Sequence, residues 1–99
     1  LAEAVEQIDI GGPAMIRSAA KNWRDVAVVT DARVYEKILR EMRETDGSLA
    51  LETRRALAAL AFSNTSHYDL ILSGFLIEQL SDDEFDYIEE FHPAADSPI

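Results

Sequence analysis

From residue 49 to about residue 80 the chain holds a single periodicity. Leu57, Leu60, Ala61, Asn64, Tyr68, Ile71 and Phe75 follow one another in steps of three or four. That spacing places side chains on one face of an α-helix. At 1.5 Å per residue an unbroken helix over 49–80 would be about 48 Å long, longer than a domain of this size is wide. The pattern therefore predicts either a break or a helix that reaches out to meet another segment or chain. Gly74 is the candidate break, because glycine costs about 1 kcal/mol in a helix interior.

The remaining elements are short. Leu1, Ala4, Val5 and Ile8 predict a helix over residues 1–8. Gly11, Gly12 and Pro13 interrupt it. Glycine can take positive φ, and proline suits the first position of a helix, where its missing N–H costs nothing. Ala14, Met15, Ile16, Ala19 and Ala20 then continue as a helix of about ten residues. "VAVVT" at 26–30 is apolar and mostly β-branched and reads as one buried strand of a parallel sheet. Asp31 is placed to cap a helix over roughly 32–43, with Val34, Ile38, Leu39 and Met42 inward, and Asp46-Gly47 reads as a turn. Ser81 and Glu84 have capping-box spacing ahead of a short helix bearing Phe85, Ile88 and Phe91. Pro93 ends that helix, and residues 92–99 read as frayed. A single parallel strand has nothing to pair with, so the chain is either mostly helical or part of a larger α/β domain.

Charge narrows the classes of function. The net charge is -10. All nine Lys and Arg lie between Arg17 and Arg55, whereas nine of the nineteen acids lie from Asp69 onward. The body is close to neutral and the last third is acidic, which argues against non-specific nucleic-acid binding through phosphate neutralisation. The acidic third reads first as a solvated face. No run reaches the roughly 18 apolar residues of a membrane span, and "LAEAVEQ" lacks the features of a secretory signal. The chain has no cysteine, which excludes disulfides and thiolate metal sites and fits a cytoplasmic protein.

Two stretches carry a resemblance. "EAVEQIDIGGPAMIRSAAKNWRDVAVVTD" and "LETRRALAALAFSNTSHYD" resemble the IMP cyclohydrolase domain of the bifunctional AICAR transformylase/IMP cyclohydrolase family, over roughly residues 3–76. The most specific block is "IDIGGP" followed by "R-AAKN". The resemblance implies an α/β fold, a partial methylglyoxal-synthase-like parallel-sheet domain that is here mostly helices with one clear strand. It implies that residues 1–81 form the second half of the cyclohydrolase domain and that 82–99 are an acidic C-terminal extension. The family's phosphate-binding loop, a further catalytic lysine and a Tyr-Pro-Phe segment have no counterpart in these residues, and after about Asp82 the likeness fades.

The family reaction closes a ring: the carboxamide nitrogen of formyl-AICAR attacks the formyl carbon, and water leaves to give IMP in purine biosynthesis. The implied catalytic residues are Lys21, as donor to the formyl oxygen, and Asp9, which orients or deprotonates the N–H groups of the base. The implied substrate-binding groups are the backbone of Ile10, Gly11 and Gly12 at a helix N-terminus, together with Asn22. Each has a plainer reading. Asp9 favours the positive end of a helix, Lys21 the negative end, the glycines make a turn, and Asn22 is a helix C-cap. Convergence of Asp9 and Lys21 on one base requires Asp9 to fold back over the helix, a ligand that spans the gap, or an adjoining segment. No cofactor is expected, since folate belongs to the transformylase reaction. The implied partners are a purine nucleotide, the N-terminal half of the domain and the transformylase domain. A homodimer is open to it, and neither nucleic acid nor a membrane is expected.

Other residues carry less. Arg17 and Arg24 read as surface or pairing residues. His67, Tyr68 and Asp69 are adjacent, so helical geometry points them apart, and His67 and His92 lack metal-ligand spacing. Asn64 and Thr65 interrupt an apolar face and are candidates for pairing inside the core. The competing reading is a non-catalytic helical remnant or acidic interaction module that keeps the family core. A metabolite-sensing domain of the same fold would need the phosphate loop but not Lys21. The isolated chain is expected to be inactive, and 82–99 to be dispensable for the fold.

Overall fold

A computed structural model of the chain describes residues 1–92. Among the described residues five α-helices occur in the order α1 (Ala2–Glu6), α2 (Gly11–Lys21), α3 (Tyr35–Glu44), α4 (Leu51–Glu78) and α5 (Asp82–Ile88). Single 3₁₀ turns cover Ala32–Val34 and Glu89–Phe91. Two compact units divide the chain, one over Leu1–His67 and one from Tyr68 onward.

The parallel-sheet expectation is corrected: no strand occurs among the described residues. The segment 26–30 does carry the side-chain alternation of an extended chain. Val26, Val28 and Thr30 are half-buried, while Ala27 and Val29 are exposed. Val28 packs against the core, and the Thr30 hydroxyl accepts a hydrogen bond from Asn64 Nδ2 at 2.7 Å. What is absent is a second strand among the described residues, and without one the backbone groups form no ladder. β-Branched residues set the local conformation; pairing needs a partner.

Gly74 does not break α4, which runs unbroken from Leu51 to Glu78. A methyl group built at Gly74 meets nothing within 4 Å. Glycine weakens a helix by lost entropy and lost packing, and surrounding good helix formers offset that. Pro13 is the third residue of α2 and not the first, a position where its missing N–H still costs little because first-turn donors lack helical partners. Leu39, expected inward, is 44% exposed, while Val34, Ile38 and Met42 are half-buried as expected. The Pro93 stop and the fraying of 93–99 lie outside the described residues.

Local chemistry explains the element ends. The Asp31 carboxylate accepts the Arg33 N–H at 2.9 Å and the Arg33 guanidinium, including a 2.6 Å ion pair. The side-chain hydrogen bond from Arg33 is the main reason that its pKa falls to about 2. At the C-terminus of α3, Asp46 (φ 57°) and Gly47 (φ 96°) are both left-handed, and the Gly47 N–H reaches back to the Met42 carbonyl at 2.7 Å. This six-to-one closure ends a helix. Ser81 and Glu84 form the reciprocal capping box: Glu84 N–H to Ser81 Oγ at 3.2 Å, and Ser81 N–H to Glu84 Oε1 at 2.9 Å.

The core of the first unit is small. Ala20 of α2 meets Ala58 and Ala61 of α4, with Ile16, Trp23 and Val28 packed around them. Leu57 and Thr65 complete the buried set, and no large side chain is completely buried among the described residues. Thr65 satisfies its hydroxyl on the Phe62 carbonyl one turn back, at 3.1 Å. Alanines on both helices allow close backbone approach, and Ile16 and Ala20 share one face of α2 by helical spacing.

Candidate functional site

The candidate site is built on α2. Ahead of it, Asp9 turns back so that its Oδ1 accepts the Gly12 N–H at 2.9 Å. The contact is close enough that a Cβ on Gly12 would stand 2.6 Å from Asp9 Oδ2. A side chain at 12 would therefore displace the carboxylate that sits on it. Gly11 has no such neighbour within 4 Å. Ile10 caps the helix through its carbonyl, which accepts the Ala14 N–H at 3.1 Å, and its side chain is 72% exposed. Of the three backbone N–H groups expected to face a ligand, the one on Gly12 is thus engaged by Asp9.

Lys21 ends α2 and is exposed. Asn22 is the C-cap, its N–H donating to the Ala19 carbonyl at 3.1 Å. The Asn22 carbonyl then accepts from the N–H groups of Asp25 at 3.1 Å and Val26 at 3.0 Å, which closes the turn over 22–25. The structure joins Asp9 to Gly12. It leaves Lys21 at the other end of the same helix, about 15 Å of rise from Gly11 at 1.5 Å per residue. Asp9 turns back as far as the Gly12 N–H at the helix start, which leaves a spanning ligand or an adjoining segment to bring it and Lys21 to one base.

Several residues around this helix were not legible as site residues. Arg54, half-buried in the first turn of α4, donates from Nε to the Trp23 carbonyl at 3.2 Å and from Nη1 to the Leu49 carbonyl at 2.5 Å. Arg55 and Arg24 lie over the Trp23 ring at 5.3 and 5.9 Å, and Arg17 lies over Phe62 at 5.3 Å. Glu41 of α3 receives the Ala50 N–H at 2.8 Å and the Thr53 hydroxyl at 2.7 Å. These bonds, that from Ala50 foremost, hold its carboxyl below the usual range. The only signal in the sequence is a charged residue beside a helix end. The longer contacts, from nine positions (Glu41 to Ala50) to 45 (Arg17 to Phe62), are not set by spacing.

A cavity of about 340 Å³ lies between α3 and α4, lined by Val34, Ile38, Glu41, Thr53, Leu57 and Leu60 among others. None of the sequence-derived site residues lines it. Among the described residues no three His, Asp or Glu side chains stand together to hold a metal ion. No helix among them is long and apolar enough to cross a membrane.

Comparison with known proteins gives a consistent result. A family model described as the AICARFT/IMPCHase bienzyme matches residues 19–96. The bifunctional purine biosynthesis protein PurH of Lactobacillus delbrueckii subsp. bulgaricus is 56% identical over 79 residues, covering 80% of this chain and 15% of its own length. The PurH of Acetivibrio thermocellus is 48% identical over 85 residues, 86% of this chain and 16% of its own. That of Neisseria gonorrhoeae is 51% identical over 83 residues, 84% and 16% respectively. The chain thus spans 15–16% of the length of these relatives.

Proposed function

The chain belongs to the AICARFT/IMPCHase bienzyme family, and we propose that it forms part of the IMP cyclohydrolase of such an enzyme, the second half of that domain over residues 1–81. The reaction assigned to it is closure of formyl-AICAR to IMP. A carbon–nitrogen bond forms between the carboxamide nitrogen and the formyl carbon. The formyl oxygen leaves as water, with one proton from the carboxamide nitrogen and one from the formamide nitrogen. The carboxamide is a poor nucleophile, so the gain comes from holding the two groups together, which supplies about 7–11 kcal/mol in favourable cases, and from stabilising charge on the oxygen.

One observation supports this reading above the others: the Asp9 carboxylate is fixed on Gly12 at the head of the helix that carries Lys21 at its foot. Asp9 acts on the N–H groups of the base, Lys21 donates to the formyl oxygen, and the backbone of Ile10, Gly11 and Gly12 and the C-cap Asn22 flank them. No cofactor is required. The remaining binding groups come from other parts of the enzyme, a homodimer is compatible, and the setting is cytoplasmic. The isolated chain is expected to be inactive, because remote phosphate binding contributes to positioning and residues 1–99 offer no glycine-rich phosphate loop.

The test is Lys21→Ala in the full-length enzyme, followed by absorbance as IMP forms. Loss of a transition-state donor lowers kcat by about 10² or more. Lys21 is exposed, so the melting temperature should hold. Near-normal kcat rejects the assignment.

A further inference from the structure

We infer that Arg54 is a positioning residue for Lys21, clamping the end of α2 to the start of α4; the inference rests on the reading of Lys21 given above. Its guanidinium is the physical link between two chain segments that sequence keeps far apart. One acceptor, the Trp23 carbonyl, lies two residues beyond Lys21, and the other, the Leu49 carbonyl, lies just ahead of α4. A planar fork with several fixed donors can hold two carbonyls at once, which a lysine ammonium on a flexible stem does poorly.

The turn so held has few other restraints. Within 22–26 the backbone closes on the Asn22 carbonyl alone, through Asp25 and Val26. Lys21, Asn22, Arg24 and Asp25 are all exposed. Trp23 is gripped twice from α4, by its carbonyl through Arg54 and by its ring through Arg55 at 5.3 Å. Ala20 is buried between Ala58 and Ala61. Lys21 therefore sits between a buried alanine and a clamped tryptophan, both fixed to α4. Without Arg54 the downstream anchor loosens while the upstream one stays. The helix persists, but the direction of the lysine is no longer fixed.

The experiment uses the full-length enzyme. In Arg54→Ala, kcat falls by about ten- to a hundredfold, the scale of a misplacement near 1 Å, with a smaller change in KM. Arg54→Lys, which keeps the charge but loses the fork, recovers part of the loss and keeps the test open if the alanine variant folds poorly. In the Lys21→Ala background, Arg54→Ala causes no further loss of kcat, because the residue it positions is already gone. Amide hydrogen exchange over residues 20–28 rises in both Arg54 variants. Independent, multiplying losses in the double variant, or unchanged exchange over 20–28, would overturn the inference. Normal kcat in Lys21→Ala alone would bring down the reading of Lys21, and the exchange at 20–28 would still decide whether Arg54 holds the turn.

Discussion

Gly12→Ala is the substitution for which stability and activity should part most clearly. A Cβ at residue 12 would lie 2.6 Å from Asp9 Oδ2, 3.1 Å from Oδ1 and 3.2 Å from Cγ. Ordinary contact begins at 3.4 Å, so the carboxylate must retreat by about 0.8 Å to relieve the overlap. The obstacle is the end of a short side chain that can rotate, so the backbone need not move. The hydrogen bond from the Gly12 N–H to Oδ1 at 2.9 Å is then lost. Loss of a cap of this kind costs about 1 kcal/mol. Replacing a helical glycine by alanine returns about 1 kcal/mol. The two nearly cancel, and the melting temperature should stay within about 5 °C of the parent.

Activity has no such cancellation. If Asp9 acts on the base, displacement on this scale lowers kcat by about 10². The assay is IMP formation by the full-length enzyme, with thermal melting run in parallel. Parental kcat combined with a melting temperature lower by more than about 8 °C would refute the reasoning: the carboxylate would then serve the helix and nothing else. Gly11→Ala gives a contrast. It meets no atom within 4 Å, so any effect it has on turnover reports on ligand approach rather than on the fold.

Gly74→Ala should raise stability by about 0.5–1 kcal/mol, since the position is helical and open; chemical denaturation checks this. Gly47→Ala should lower it by more than about 1 kcal/mol, because φ is 96° there; the same measurement applies. Glu41→Gln should lower the melting temperature at neutral pH and flatten its decline in acid. The Glu41 carboxyl is held below its ordinary 4.5 by the Ala50 N–H and then by Thr53, so its contribution is present above that pH and lost as pH falls below it. Parallel melts of parent and variant isolate this group from Asp31 and Glu84, whose carboxyls are lowered in the same sense.

The parts legible in the sequence are those decided within one helical turn. The Ser81–Glu84 box, the Asp31 cap and the Asp46-Gly47 turn each satisfy backbone groups two to five residues away, and spacing specifies them. The bond from the Gly12 N–H to Asp9 is of the same short range, but spacing alone left a fold-back of Asp9 as one of three alternatives. The strand at 26–30 failed because its existence depends on a partner that side-chain type cannot supply. The break at Gly74 failed because propensity sums over a helix and does not act at one residue. Glu41 on Ala50 and Thr53, and Arg54 on Trp23, depend on how α3 and the end of α2 pack against α4. Nothing in their local spacing marks them.

The packing also explains why a small core can serve a site. A leucine or phenylalanine between α2 and α4 would bury more area, about 1.5–3 kcal/mol per side chain, but would hold the helices apart. Ala20 against Ala58 and Ala61 gives up that stabilisation and gains proximity. Proximity is what lets Arg54 and Arg55, on the first turns of α4, reach the carbonyl and ring of Trp23. Successive helical residues differ in direction by about 100°, so burying Ala20 turns Lys21 outward while its backbone stays anchored. The residue most firmly fixed in α2 is thus the neighbour of the one proposed to do chemistry. An exposed lysine thereby gains a defined origin from which to reach a developing oxyanion.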